Sequence, residues 1–145
     1  MKIIVDADAC PVKKIIEDLA RRRQIKVIMV SNYSHQINSD YAETIAVDKV
    51  AEAADITIVN MTEPGDIIVT QDYGLASIVL GKGAVAVSPS GKVYTEQNID
   101  ILLTQRYLNA KARQSGGKHI NPRKRSAREN RHFEEAFKGL LDKIR

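Results

Sequence analysis

Acidic side chains follow two apolar runs of the chain, at positions where they could bind a metal ion or take part in catalysis. Asp6 and Asp8 come directly after "KIIV" (2–5), and Asp72 comes just after "DIIVT" (66–70). Carboxylates in such positions serve as metal ligands or as general acids and bases. When several of them converge, each raises the pKa of the others until a cation neutralises them.

Two more acids lie in a segment with helical character. Residues 48–62 predict one helix, which ends before Pro64 and Gly65. Glu52 and Asp55 are three residues apart and would share a face of that helix. Asp48 stands at the expected N-cap, which is the structural role that carboxylates take at a helix start.

Oxygen-only ligands of this kind suit Mg²⁺ or Mn²⁺. Zinc would require His or Cys, and the three histidines at positions 35, 119 and 132 are not grouped near the acids. Asp8 has an alternative role, because it could cap the helix that follows Pro11. The single cysteine, Cys10, is expected to be a small buried hydrophobic residue.

Strand and helix patterns alternate along the chain, which predicts an α/β fold with a mainly parallel, doubly wound sheet. Because functional clefts in such sheets form at the carboxyl ends of the strands, Asp6 and Asp72 are expected at one rim. Strands are predicted at 2–5, 26–30, 44–47, 66–70 and 84–87, and helices from Pro11, at 48–62, at 73–83, at 95–113 and at 126–145.

The charge is distributed unevenly over the 145 residues. Residues 106–145 carry 12 Lys and Arg against 4 Asp and Glu, whereas residues 1–105 carry 10 against 14. A basic tail of this kind attracts polyanions such as RNA or DNA, although a solvated surface helix would have the same composition. The candidate nucleic-acid contacts are Arg113, Lys118, Arg123, Lys124, Arg125 and Arg128.

The composition predicts a cytoplasmic protein. No apolar stretch approaches the roughly 20 residues needed to cross a bilayer, and the N-terminus lacks a signal-peptide pattern. One cysteine forms no internal disulfide, which agrees with a reducing compartment. The sequence does not define an oligomeric state.

The motifs "IIVDADACP" and "GDIIVTQDYGLA" resemble those of the YaiI/YqxD family, which belongs to the PIN-like nuclease superfamily. The resemblance extends over most of the chain, including "AEAAD" (51–55) and "KGAVAVSPSGKVYTEQNI" (82–99). It implies a PIN-like three-layer sandwich over residues 1–113. Residues 114–145 would then be a basic linker and an amphipathic helix that packs on this domain or extends from it.

The resemblance also implies a function, hydrolysis of phosphodiesters by carboxylates that hold Mg²⁺ or Mn²⁺. Asp6 matches the acid that closes the first strand, and Thr70 and Asp72 match a "T-x-D" motif in which the threonine supports a ligand. Asp55, or else Glu52, matches the helical acid. A fourth acid is missing, since residues 73–95 contain neither Asp nor Glu, and Asp8 is the candidate replacement.

Two alternative functions also fit the sequence at this point. The chain could be a catalytically inactive module that binds nucleic acid or a protein partner, which the missing fourth acid favours. A phosphatase of the haloacid-dehalogenase type also begins with an apolar run and "DxD". That chemistry needs a Ser or Thr soon afterwards, and residues 9–16 contain none.

Overall fold

The chain forms an α/β fold around one central sheet. A computed structural model describes residues 1–32, 37–50, 52–114 and 125–143. The elements within these ranges are β1 (Lys2–Asp6), α1 (Lys13–Arg22), β2 (Lys26–Asn32), β3 (Glu43–Val47), α2 (Ala53–Met61), β4 (Ile67–Val69), α3 (Tyr73–Gly81), β5 (Val85–Val87), β6 (Val93–Tyr94), α4 (Glu96–Gln114) and α5 (Ala127–Lys143).

The sheet has the strand order β3-β2-β1-β4-β5-β6. All neighbouring strands are parallel except β5 and β6, which are antiparallel. Ile3, Ile4 and Val5 of β1 are fully buried, as expected for a central strand that is covered on both faces. The predicted mainly parallel sheet is therefore confirmed, while the two-residue strand β6 was not predicted because it is too short to show a pattern.

Helices cover both faces of the sheet and make it the middle of three layers. The core on one face includes Ile16 and Leu19 of α1 and Phe133 of α5. The core on the other face includes side chains of α2, α3 and α4, among them Ile58 and Leu75. No helix in the described ranges is both long enough and apolar enough to span a membrane.

The predicted cap at Asp48 is wrong, and the alternative cap role of Asp8 is not observed. The helix predicted from residue 48 begins only at Ala53, because Glu52 adopts a left-handed backbone conformation with φ of 71°. Asp48 therefore lies outside α2 and does not cap it. Asp8 does not cap α1 either, because it lies within a short 3-10 helix (Ala7–Ala9) and Val12 occupies the N-cap position.

The helix α5 completes the core on the side of α1. Phe133, Phe137 and Leu141 are almost fully buried, and the two phenylalanine rings stack with their centroids 5.2 Å apart. At its start, Glu129 donates its backbone N–H to the hydroxyl of Ser126 over 3.3 Å, which is a capping arrangement. Removal of the C-terminal segment would therefore expose core side chains, so its charge has to be tested by substitution.

We predict that Phe137→Ala lowers the free energy of unfolding by about 3–5 kcal/mol, because it leaves a cavity in the core. Urea denaturation followed by circular dichroism measures this change. Tyr107→Ala is the control, since Tyr107 is 59% exposed on α4. Equal losses of stability in both variants would show that α5 is not part of the core.

Candidate functional site

The pairing of β1 with β4 brings Asp6 next to Thr70. Val5 is in register with Val69, so Asp6 and Thr70, the residues that follow them, lie at the same rim of the sheet. The Thr70 hydroxyl donates to Oδ2 of Asp6 over 2.9 Å, and its oxygen accepts the backbone N–H of Asp72 over 3.0 Å. One buried hydroxyl thus links the two acids that the sequence placed at this rim.

Asp72 is held from three directions. Besides its own N–H bond, its Oδ1 caps α3 by accepting the backbone N–H of Leu75 over 3.1 Å. The guanidinium of Arg106, from α4, lies 3.6 Å from the same oxygen. The Arg106 side chain is 58% exposed, so this ion pair is accessible to solvent and to ligands.

Asp55 comes to the same place from the first turn of α2. Together with Glu52, Asp72 and Arg106, it lines a cleft of about 540 Å³, here called the acidic cleft. Partial burial raises the pKa of Asp55, and the charges of Asp72 and Asp6 raise it further. Glu52 adds a smaller effect in the same direction, so the acids form one electrostatically coupled group.

Asp6 is subject to the same repulsion. Burial raises its pKa most strongly, while the hydrogen bond from Thr70 acts in the opposite direction. The neighbouring charges of Asp72 and Asp8 raise it again. The net effect is an increase, which means that the folded chain resists ionisation of this carboxyl group.

Asp8 lies at the same rim but is bound to β2. Its carboxylate accepts the backbone N–H of Asn32 over 3.1 Å and the side-chain Nδ2–H of Asn32 over 3.0 Å. These two bonds orient Asp8 at the carboxyl end of β2. Asp8 therefore contributes charge to the group, as its effect on the pKa of Asp6 shows.

The acids interact without forming a closed metal cage. Within residues 1–32, 37–50, 52–114 and 125–143, no three His, Cys, Asp or Glu side chains group closely enough to hold a metal ion between them. The described side chains therefore do not form a structural zinc site, which needs four protein ligands.

The predicted basic contacts divide into three groups. Arg113, in the last turn of α4, and Arg128, in the first turn of α5, are exposed. Arg125 is partly buried, and it donates to the Pro89 carbonyl and to Oδ1 of Asn130, each over 2.5 Å. The remaining three, Lys118, Arg123 and Lys124, lie outside the described residues.

Two residues near the acids were missed by the sequence interpretation. Arg106 is one of many basic residues in the C-terminal part, and only the packing of α4 against α3 identifies it. Tyr94 donates its hydroxyl to the Thr70 carbonyl over 3.2 Å, and burial raises its pKa to about 12. The Tyr94 hydroxyl therefore stays protonated at neutral pH and holds the segment that carries Thr70.

Comparisons with known proteins agree with the resemblance found in the motifs. A family model described as the uncharacterised YaiI/YqxD family matches residues 4–143. A "UPF0178 protein" of Natranaerobius thermophilus is 45% identical and covers 97% of this chain and 96% of its own. Another from Lachnoclostridium phytofermentans is 47% identical and covers 99% of both chains. No solved structure matches the chain.

We predict that Asp55→Asn raises the free energy of unfolding at neutral pH when no divalent cation is present. Because the pKa of Asp55 is raised in the folded chain, this carboxyl group contributes stability below pH 3.8, its ordinary pKa. The contribution is lost as the pH rises through the pKa of the folded state. The amide has no charge to repel, so the advantage of the variant should vanish toward acid pH. Urea denaturation in EDTA, repeated from acid to neutral pH, measures the difference in the free energy of unfolding between the variant and the native chain.

Asp100→Asn is the matched control for that experiment, because Asp100 is exposed on α4 and does not line the cleft. Its stability relative to the native chain should change little with pH. If Asp55→Asn is no more stable than the native chain at neutral pH, the acids do not repel one another as the geometry implies.

Proposed function

The chain belongs to the YaiI/YqxD family, and we propose that it is a divalent-cation-dependent nuclease that hydrolyses phosphodiester bonds of RNA or DNA. The observation that carries the proposal is the convergence of three acids, because Thr70 links Asp6 to Asp72 and Asp55 lines the same cleft as Asp72. Three separate elements supply these charges, and their repulsion is a cost that a bound cation would relieve.

Asp6 and Asp72 are the residues that would hold the cation. Both follow adjacent parallel strands at their carboxyl ends, and the Thr70 hydroxyl binds the carboxylate of Asp6 and the backbone N–H of Asp72. Their oxygen donors fit Mg²⁺ or Mn²⁺. When bound, such an ion activates water and stabilises negative charge on the phosphoryl and leaving oxygens.

The other side chains of the cleft support the same reaction. The raised pKa of Asp55 brings its carboxylate closer to the range in which it accepts a proton from an attacking water. Arg106 already contacts Asp72, and its exposed guanidinium can donate to a phosphate oxygen that enters the cleft. Thr70 holds Asp6 and Asp72 in place during the reaction.

The helix α4 offers a path for the nucleic-acid strand. Arg113 follows Arg106 by seven residues, so both lie on nearly the same face of α4, about 10 Å apart along its axis. Arginines spaced in this way can contact successive phosphates without reading base sequence. The basic line begins at the acidic cleft, which supports a polyanionic substrate.

A second candidate is a nucleic-acid-binding module that does not cleave its ligand. The absence of a three-ligand metal group among the described side chains favours it, as does the lack of acids in residues 73–95. This module would use Arg106 and Arg113 in the same way. The two candidates differ only in whether bound nucleic acid is cut.

We predict cleavage of single-stranded RNA or DNA by the native chain in Mn²⁺ and none in EDTA. The double variant Asp6→Asn, Asp72→Asn should lose this activity by about a hundredfold or more, because even indirect partners of metal ligands are worth about ten- to a hundredfold. Asparagine keeps an acceptor for Thr70 and a good cap for α3, so the fold is retained. Gel analysis of end-labelled oligonucleotides measures the rate.

Asp100→Asn serves again as the control, and it should cleave at the native rate. If the double variant cleaves as fast as the native chain, the nuclease proposal is overturned and the activity comes from a contaminant. Binding of the oligonucleotide without any cleavage in Mn²⁺ or Mg²⁺ would instead establish the binding module.

A further inference from the structure

A second cleft borders the same chain segment, around Asp72, as the acidic cleft. It has a volume of about 400 Å³, and its wall includes Gln71 and Tyr73, the two neighbours of Asp72 in the chain. The acidic cleft is lined by Asp72 itself. The two clefts therefore share this segment and are immediate neighbours.

The second cleft has the lining of an anion site. Lys92 and Arg125 bring positive charge, and Ser88 and Ser90 bring hydroxyl groups. The two serine Oγ atoms are 2.7 Å apart, so they are hydrogen-bonded to each other and lie side by side. Glu129 is the acid of the lining, and it lies 3.9 Å from Arg125.

The turn that carries these serines is fixed by the C-terminal part of the chain. Arg125 donates to the Pro89 carbonyl, and His132 Nδ1 lies 2.6 Å from the Ser90 carbonyl. A carbonyl only accepts, so Nδ1 of His132 carries the proton. Two carbonyl oxygens that would repel an anion are thus occupied by donors.

Close packing makes this turn dependent on a glycine. Gly91 has φ of 93°, and a Cβ added there would lie 2.7 Å from Nδ1 of His132. The approach of α5 therefore leaves no space for a side chain. The turn from Ser88 to Lys92 is held in one shape, which lowers the entropic cost of binding a ligand.

An aromatic ring lines the second cleft. Tyr73 packs edge-on against Tyr94, with the ring centroids 5.8 Å apart, and the Tyr94 hydroxyl is bonded to Thr70. Tyr73 is only partly buried and lines the second cleft. A ring held in this way offers a surface on which a base can stack.

We propose that the second cleft binds a phosphate group of the nucleic-acid strand, next to the phosphodiester that enters the acidic cleft. Lys92 and the exposed hydroxyl of Ser90 contact the phosphate, Arg125 adds charge, and the base beside it stacks on Tyr73. This assignment rests on the proposed function for the identity of the strand. The binding of phosphate itself needs neither a divalent cation nor catalysis.

The test is a titration of the full chain in EDTA, followed through the backbone amide signals of the Ser88–Lys92 turn, Pro89 excepted, in the nuclear magnetic resonance spectrum. The probes are inorganic phosphate and a short oligouridylate. Both should shift these signals, and Lys92→Gln should weaken oligouridylate binding by about tenfold, the effect of one charge-assisted contact. Lys92 is exposed, so this variant keeps the fold.

Lys138→Gln is the matched control, because Lys138 is exposed on α5 and does not line the cleft. It removes the same charge and should leave the affinity unchanged. Equal weakening by both variants would reduce the effect to net charge and overturn the proposal. So would phosphate or oligouridylate that leaves the Ser88–Lys92 signals unshifted, or phosphate that binds there while oligouridylate does not.

The outcome separates this proposal from the proposed function. If the chain binds oligouridylate through Lys92 but never cleaves it, the phosphate cleft is supported and the nuclease proposal is rejected. If the Lys92→Gln variant cleaves in Mn²⁺ at the native rate and binds with unchanged affinity, the nuclease is supported and the phosphate cleft is rejected.

Discussion

The site depends on one buried hydroxyl, that of Thr70. A hydroxyl both donates and accepts, so Thr70 can bind the carboxylate of Asp6 and the backbone N–H of Asp72 at once. The parallel register of β1 and β4 sets the distance across which this bond forms. Tyr94 fixes the carbonyl of the same residue from β6. The sheet thereby determines how close the two acids lie.

The rim concentrates negative charge at a place where the fold can tolerate it. The neighbouring acids and burial raise the pKa of Asp6 and Asp55, which means that ionisation at neutral pH costs stability. The apolar strands beneath the rim and the two phenylalanines of α5 offset that cost through burial. Arg106 relieves part of the repulsion at Asp72 from an exposed position.

The strand pattern was enough to place Asp6 and Asp72 at one rim, because apolar runs followed by acids are visible in the chain itself. The start of α2 was not predictable, since a left-handed Glu52 interrupts "KVAEAAD" (49–55), a segment whose composition is helical. Arg106 depends on how α4 packs, which no local pattern reports. Asp8 has its role from Asn32, 24 residues away.

The proposed cation site is tested most sharply by locating a cation in the folded chain. Crystals soaked in Mn²⁺ and measured at a wavelength where manganese scatters anomalously locate the ion without reference to activity. We expect one strong peak between Asp6 and Asp72, absent from the Asp6→Asn, Asp72→Asn variant. A saturating soak that leaves this position without a peak, or an ion bound only elsewhere, would contradict the proposed site.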